Sequence, residues 1–169
     1  MDRNETMTDE AYMREALEEA KQAYAEGEIP IGAVLVHKGK IISRHHNRRE
    51  LDKDATAHAE MLVIREACQL LARWRLTGCT LYVTIEPCPM CAGAIMNSRI
   101  DRLVYGSSDY KGGAVESLFN VLTHPQLNHE PEIRAGVLAD ECSQIMKDFF
   151  KERRQARKTK KRENTEAHS

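Results

Sequence analysis

Apolar residues recur along the chain with two periods, one typical of helices and one typical of strands. Helical spacing between Thr8, a good N-cap residue, and Gly27 predicts a first helix. The runs IGAVLV and IISRHH flank HKGK, a glycine-bearing connection of hairpin length, and predict two antiparallel strands. The pattern then predicts a helix over about 57–72, a strand over 79–85 and an uncharged, buried helix over 88–98.

Strands and helices continue to alternate in the second half of the chain. DRLVYG predicts a strand, a short helix is expected at about 116–122, EIRAGVL predicts a last strand, and a long helix follows over about 139–160. The complete order is αββαβαβαβα, and its later alternation implies right-handed crossovers between parallel strands. We therefore predict a layered α/β domain with a mixed five-stranded sheet flanked by helices.

Length and composition favour a single globular domain. The chain has 169 residues, of which 41% are hydrophobic and 30% charged, a balance that excludes fibrous and disordered classes. We expect one domain over residues 1–162 and a disordered tail over 163–169. The start is acidic and its longest uncharged stretch, IPIGAVLV, is too short to span a bilayer, which predicts a cytoplasmic protein without membrane contact.

The five cysteines are an odd number in a chain with no recognisable secretory signal, which argues against a disulfide framework. We interpret them as core residues or metal ligands. Cys68, Cys79 and Cys142 have no ligand partner at short spacing, and we predict that they pack in the core, as free cysteines commonly do.

Charge is distributed unevenly along the chain. Residues 1–30 hold nine acids and three bases, whereas residues 151–162 hold eight bases and one acid. A basic end on a nearly neutral protein favours a polyanionic partner. A solvated helix end with a frayed tail is the alternative that the charge pattern alone leaves open.

Glu60 occupies an unusual position on the helix predicted at 57–72. Helical geometry places it in register with Ile64, Ala67 and Leu71, on the apolar stripe and opposite the charged residues of the same helix. A carboxylate that points at a core is costly unless it is paired or used. Glu60 is therefore a candidate functional group.

A candidate metal site combines His58 with the cysteines of EPCPMCAG. If Cys88 is near a helix N-cap and Pro89 takes the first helical position, Cys91 follows one turn later, and the helix N-terminus favours both thiolates. A CxxC pair alone leaves a redox pair, half a zinc site and chance open, but His58 thirty residues upstream favours zinc. His58 and Glu60 are about 200° apart on a helix, so they can share a site only at its N-terminal end.

Three protein ligands leave a fourth zinc position for water, which is typical of catalytic rather than structural zinc. Zinc lowers the pKa of water from 15.7 to about 7. A nearby carboxylate that is not a ligand, here Glu60, is then placed to carry protons between water, substrate and leaving group.

The sequence HAE followed by PCPMC matches the H-x-E…P-C-x-x-C signature of zinc nucleobase deaminases. Within this cytidine deaminase-like superfamily, the chain resembles the bacterial tRNA-specific adenosine deaminases from about residue 8 to residue 157. The matching segments include GEIPIGAVLV, HNRRE, TAHAEM, EPCPMCAGAI, SRIDRLVYG, DYKGGA, GVLADEC and DFFKERR. The resemblance implies a three-layer cytidine deaminase-like fold.

The resemblance also implies the roles of individual residues. His58, Cys88 and Cys91 resemble the family's zinc ligands, for one Zn²⁺ per subunit, and Glu60 resembles its proton shuttle. Its substrate-binding residues are Asn47, which hydrogen-bonds the target nucleoside, Ile31 and Ala59, which line the pocket, and Asp109 and Lys111, which lie near the flipped nucleotide. Its RNA-binding residues on the last helix are Phe149, Phe150, Arg153 and Arg154.

The implied reaction is hydrolysis of adenosine to inosine at the wobble position of a tRNA anticodon, in an arginine tRNA. The implied partners are the anticodon stem-loop and a second copy of the chain, since such enzymes are similar in being homodimers. Two positions depart from the family pattern: Ala55 replaces a usual proline before TAHAE, and Glu116 replaces a common glycine after GGAV.

Two other functions remain open from the sequence. A deaminase of a free base or nucleoside, such as guanine deaminase, shares HAE and PCPMC, although the basic segment FFKERR favours RNA. A zinc-stabilised nucleic-acid-binding module without catalysis would need no Glu60 on the apolar stripe.

Overall fold

The computed structural model describes residues 7–168. Residues 1–6 of the expected domain, and Ser169 of the expected tail, lie outside that range. The elements follow in the order α1 (Asp9–Ala25), β1 (Gly32–His37), β2 (Lys40–His46), α2 (Ala59–Leu71), β3 (Cys79–Ile85), α3 (Pro89–Asn97), β4 (Arg102–Ser107), β5 (Glu132–Arg134) and α4 (Ala139–Glu166).

The strands form one mixed sheet in the order β2-β1-β3-β4-β5. β1 pairs antiparallel with β2 and β3, whereas β4 pairs parallel with β3 and β5. The turn between β1 and β2 places Lys38 and Gly39 at φ of 51° and 76°, the left-handed conformation that two-residue hairpins require and that glycine adopts without strain. The predicted hairpin and the mixed five-stranded sheet are confirmed.

Two apolar clusters cover the two faces of the sheet. Alternate residues of β1 point to opposite faces, so that Ala33 and Leu35 pack with α2 and α3, whereas Val34 and Val36 pack with α1 and α4. A Cβ at Gly32 would clash with the backbone carbonyl of Ala16 on α1, which shows how closely this helix approaches β1. The protein is therefore a three-layer α/β/α domain, as predicted.

The helix predicted at 116–122 is wrong, because the segment forms turns instead. The amides of Leu118 and Phe119 both donate to the carbonyl of Gly113, at 3.0 and 3.1 Å. The amides of Glu116 and Ser117 donate to a side-chain oxygen of Glu86, at 2.9 and 3.0 Å. Because the amides of Leu118 and Phe119 reach back to Gly113, they do not form the i→i−4 bonds of an α-helix.

The last two elements also differ in length from their predicted ranges. β5 ends at Arg134, because Gly136 takes a φ of 83° that breaks an extended strand. α4 continues to Glu166, so that residues 163–166, which were predicted to be disordered, are helical. No glycine or proline follows Gly136, and this stretch is rich in Lys, Arg, Gln and Glu, which favour helices. Within residues 7–168, no helix is both long enough and apolar enough to cross a membrane.

Candidate active site and metal centre

The N-termini of α2 and α3 meet at one point, and each presents a metal-ligating side chain there. His58 is the N-cap residue of α2, and Cys88 is the N-cap residue of α3 with Pro89 directly after it. Neither side chain forms a capping hydrogen bond to its helix. The Nδ1 atom of His58 lies 3.6 Å from the sulfur of Cys88 and 3.6 Å from that of Cys91. The trio is therefore free to bind a shared ligand.

The spacing and chemistry of the trio fit zinc. The ligand atoms of His58, Cys88 and Cys91 all lie within 4.8 Å of one another, and among residues 7–168 no other group of three or more potential ligands does so. Zinc–sulfur and zinc–nitrogen bonds of about 2.3 and 2.0 Å in a tetrahedron separate neighbouring ligand atoms by roughly 3.5–3.8 Å. Cys79 and Cys142 are buried in the two apolar clusters instead.

Without a bound metal, the side chains of the trio differ in how readily they release a proton. The thiol of Cys91, followed by the imidazole of His58, stabilises the Cys88 thiolate and lowers the pKa of Cys88 to about 4. The same hydrogen bond and burial raise the pKa of Cys91. The hydrogen bond between His58 and Cys88 raises the pKa of His58. One sulfur is thus ready to bind a metal, and the second must release a proton on binding.

Glu60 lies in the first turn of α2 beside the trio. Its side chain is 3% exposed and contacts the sulfur of Cys91. On the same helix, Ile64 and Ala67 are buried, so Glu60 does lie on the apolar stripe. Burial raises the pKa of Glu60, since a carboxylate loses hydration there. A carboxyl group with a raised pKa beside a metal site is suited to accept and return protons near neutral pH.

A cleft of about 820 Å³ opens onto His58, Glu60 and Cys88. Residues that follow the parallel strands β3 and β4 line it on one side, and a face of α4 lines it on the other. A smaller pocket of about 70 Å³ adjoins it and shares Ile29, Ile31, His58 and Glu60 with it. The volume of the larger cleft is in the range that ligand-binding clefts usually have.

The predicted pocket residues Asn47, Ile31 and Ala59 lie together in the smaller pocket. Asn47 is 5% exposed, and its carbonyl oxygen accepts from the amide of Arg49 at 3.2 Å. Its side-chain amide nitrogen reaches Glu28 and the carbonyl of Ile29 only at 3.4 and 3.5 Å, which is long for hydrogen bonds and leaves the nitrogen available to a closer ligand.

Glu28 is a site residue that the sequence did not indicate. It is fully buried and accepts from the amide of Leu51 at 2.6 Å, so that it fixes the loop that carries Asn47. Ile29 and Arg49, which also line the smaller pocket, were missed as well, and no motif separates them from ordinary loop residues.

The predicted loop residues Asp109 and Lys111 line the larger cleft. Asp109 closes its own turn by accepting from the amides of Lys111 and Gly112 at 3.1 and 3.2 Å. Glu86, which was not predicted, holds the whole loop. Its oxygens accept from the backbone amides of Asp109, Val115, Glu116 and Ser117 and from the Ser117 hydroxyl. The sequence could have indicated Glu86, because it is the only charged residue between Arg75 and Arg99.

The four predicted RNA-binding residues of α4 divide into two pairs. Phe150, which is 36% exposed, and Arg154 line the cleft. Phe149 is 6% exposed and packs edge-on against Tyr24, with ring centroids 5.6 Å apart, while Arg153 stacks on its ring. Phe149 therefore anchors α4 to α1 and does not face the cleft.

The loop before α2 keeps a defined shape although Ala55 occupies the usual proline position. Asp54 accepts from both the amide and the hydroxyl of Thr56, at 2.8 and 2.7 Å. Ala55 itself is exposed in a turn. The substitution thus removes no contact to the metal trio.

Comparisons with known proteins agree with this geometry. Residues 7–154 match the MafB19-like deaminase family. A tRNA-specific adenosine deaminase of Bacillus subtilis is 52% identical over 158 residues, which span 94% of this chain and 98% of that protein. A structure from a study of A-to-I editing by tRNA:A34 deaminases at the wobble position has a TM-score of 0.77 and 49% identity, covering 80% of this chain and 98% of that one. A guanine deaminase from Bacillus subtilis has a TM-score of 0.59 and 32% identity, with 82% and 92% covered.

Proposed function

Because the chain belongs to the tRNA-specific adenosine deaminases of the MafB19-like deaminase family, we propose that its cleft takes the wobble adenosine of a tRNA anticodon. Water replaces the 6-amino group there, which yields inosine and ammonia. The observation that carries the proposal is the buried carboxyl group of Glu60 beside the His58, Cys88 and Cys91 trio, in a cleft large enough for a nucleotide.

One zinc ion per subunit fits the donor set of His58, Cys88 and Cys91. When bound, zinc supplies Lewis acidity, which lowers the pKa of a water molecule from 15.7 to about 7. Glu60 takes a proton from the attacking water and delivers it to the ring nitrogen beside the reacting carbon. It then takes the proton of the newly added hydroxyl group and gives it to the amino group, which leaves as ammonia. The raised pKa of Glu60 supports this role, because a group that both accepts and donates works best with a pKa near the working pH.

The remaining cleft residues bind and orient the nucleotide. Asn47 hydrogen-bonds the target nucleoside, while Ile31 and Ala59 supply apolar walls. Phe150 offers an exposed ring on which a base can stack. Lys111 and Arg154 carry positive charge at the cleft, where the phosphates beside the target nucleotide would pass.

We infer further that the substrate is an arginine tRNA, that the protein acts in the cytoplasm, and that it works as a homodimer. Large apolar side chains remain exposed in the single chain, and a second copy would cover some of them. They are Leu51, Leu70, Trp74, Leu118 and Phe119. Sedimentation of the zinc-loaded protein at micromolar concentration tests the dimer, and a monomer mass would exclude it.

The function is tested with the zinc-loaded protein and an anticodon stem-loop that carries adenosine at the wobble position. Free adenosine, guanine and cytidine are incubated in parallel, and inosine and ammonia are measured. We expect inosine in the stem-loop and no ammonia from the free compounds. Ammonia from guanine, with an unchanged stem-loop, would establish a guanine deaminase instead. A panel of intact tRNAs with adenosine at the same position then tests the preference for arginine tRNA.

A further inference from the structure

Between Lys147 and Lys161, one face of α4 carries cations and no acid. At about 100° per residue, six cations lie within about 60° of Arg154, and we call them the basic stripe. The basic stripe consists of Lys147, Lys151, Arg154, Arg157, Lys158 and Lys161. The acids from Glu141 onward lie about 120° to 180° away from Arg154. They are Glu141, Asp148, Glu152, Glu163 and Glu166. Asp140, in the first turn of α4, lies on the basic side, but from Lys147 to Lys161 this face is uniformly positive.

The acidic side of the helix is used within the protein itself. Glu141 pairs with Arg14 of α1 at 3.1 Å. Glu152 hydrogen-bonds the hydroxyl of Tyr24, also on α1, and thereby raises the pKa of that tyrosine to about 12. By contrast, none of the ion pairs found among residues 7–168 includes a residue of the basic stripe. The cations of the stripe are thus not needed to hold α4 in place.

The basic stripe begins inside the cleft and continues out of it. Lys147 and Arg154 line the cleft on the same face as Phe150. Beyond them, the stripe runs along exposed helix to Lys161, about 21 Å from Lys147 at 1.5 Å per residue. A ligand that enters the cleft with one nucleotide would therefore find positive charge along the path of its neighbouring backbone.

We propose that the basic stripe is the docking surface for the double-stranded stem that adjoins the anticodon loop. This inference rests on the proposed function, because the target nucleotide must occupy the cleft for the stem to lie along α4. Lysine and arginine that neutralise phosphates release counterions and so stabilise the complex without reading sequence. Duplex RNA is recognised in this way, through its shape and its backbone.

The composition of the stripe segment distinguishes RNA from a membrane surface. A helix that lies on a membrane needs an apolar face beside its basic face. From Lys151 to Glu166 the chain has no apolar residue larger than Ala156. The helix therefore offers charge without an apolar face, which suits a nucleic-acid backbone and not a lipid layer.

The test compares two double variants that lose the same charge from the same part of α4. Arg157→Gln with Lys161→Gln removes two cations of the stripe, whereas Lys160→Gln with Arg162→Gln removes two cations that lie about 80° to 120° away from Arg154. Binding of each zinc-loaded protein to an anticodon stem-loop and to a single-stranded anticodon-loop oligonucleotide is measured from about 50 to 200 mM salt. Circular dichroism verifies that α4 stays helical.

We expect the stripe variant to bind the stem-loop about tenfold more weakly, with a salt slope lower by about 2, since each phosphate contact contributes about 1. The off-stripe variant should bind the stem-loop nearly as wild type does, and both should bind the single-stranded oligonucleotide alike. The proposal would be overturned if both variants lost the same affinity for the stem-loop, or if the stripe variant lost the same affinity for the stem-loop and the single-stranded oligonucleotide. It would also be overturned if the stripe variant bound anionic lipid vesicles more weakly but bound the stem-loop as wild type does. Absence of inosine from wild-type reactions would instead contradict the proposed function, because the binding comparison does not depend on turnover.

Discussion

Two buried glutamates show how surroundings decide the chemistry of one residue type. Glu60 and Glu86 are 3% and 2% exposed, so burial by itself acts to raise the pKa of each carboxyl group. At Glu86, hydrogen bonds from Ser117 and from backbone amides outweigh burial and hold the pKa below its ordinary value. Glu60 has no comparable set of donors, so its pKa is raised. Glu86 is therefore an anion at neutral pH that shapes a loop, whereas Glu60 can exchange a proton.

Replacing Glu60 by glutamine should stop turnover without removing the metal. The amide keeps the shape of the side chain but cannot carry a proton, so the rate of inosine formation should fall by about 10² to 10⁴. Zinc content and stem-loop affinity should stay near wild type. The matched control is Glu66→Gln on the partly exposed side of the same helix, which should remain active. Turnover retained in Glu60→Gln would exclude the proton shuttle.

Replacing Glu86 by glutamine should loosen the loop that carries Asp109 and Lys111. One acceptor oxygen becomes a donor, which leaves buried N–H groups without a partner at a cost of about 1–3 kcal/mol. We expect KM for the stem-loop to rise about tenfold with a smaller change in kcat, and faster hydrogen exchange at residues 113–117. Glu116→Gln changes an exposed side chain of the same loop and serves as the control. Unchanged exchange in Glu86→Gln would show that the carboxylate does not hold the loop.

At the scale of elements, a single carboxylate joins α1 to the far side of the sheet. Asp9, in the first turn of α1, accepts two hydrogen bonds from Arg102 of β4 at 2.7 and 2.8 Å and also pairs with Arg134 of β5. The hydroxyl of Tyr82 on β3 donates to it at 2.6 Å. Arg102 foremost lowers the pKa of Asp9 against the opposing effect of burial. The N-terminal helix is thereby fixed across three strands.

Asp9→Asn should lower the free energy of unfolding by about 1–3 kcal/mol at neutral pH, since charged hydrogen bonds are lost. Because the folded pKa of Asp9 lies below its unfolded value of about 3.9, the stabilisation is present above that pH and is lost as the pH falls toward the folded pKa. The difference in the free energy of unfolding between Asp9→Asn and wild type should therefore become smaller as the pH falls.

Chemical denaturation from pH 7 down to about pH 3 measures the effect of Asp9→Asn. Asp52→Asn is the control, because Asp52 pairs with Arg48 in a surface loop where both side chains are more than a third exposed. Such a pair is worth at most about 1 kcal/mol. A constant difference between Asp9→Asn and wild type across this pH range would contradict the assignment.

At the scale of the whole molecule, the sheet brings the site together at one edge. β3 and β4 are parallel, and Glu86 and Ser108, which follow their carboxyl ends, both line the cleft. Ligands of open α/β sheets bind at this edge. The N-termini of α2 and α3 meet at the same place and contribute His58 and Cys88, although thirty residues separate them.

Removal of zinc should destabilise the whole domain, since a metal that binds only the folded state stabilises it by mass action. At a zinc concentration about 100-fold above Kd, a chelator should lower Tm by roughly 5 to 10 °C. Cys68→Ser, which changes a cysteine outside the trio, should respond like wild type. His58→Ala should bind less zinc and show little response to the chelator. An equal response of both variants would place the metal elsewhere.

Local sequence patterns were sufficient for most of the secondary structure and for the metal trio. Periodicity identified α1, the β1–β2 hairpin, α2, β3, α3 and β4, because each depends on residues close in the chain. Helical register placed Glu60 on the buried stripe, and the N-cap position of Cys88 followed from Pro89. These features depend on backbone geometry within a few residues, which the sequence specifies directly.

The tertiary structure alone decided features that depend on contacts between distant residues. Glu86 takes the amides of Glu116 and Ser117 across thirty residues and fixes the segment in which the local pattern predicted a helix and the structure has turns. Phe149 is buried because Tyr24 lies against it, whereas its neighbour Phe150 faces the cleft. A local pattern cannot specify such outcomes, because they depend on which surfaces the folded sheet brings together and on how buried polar groups find partners.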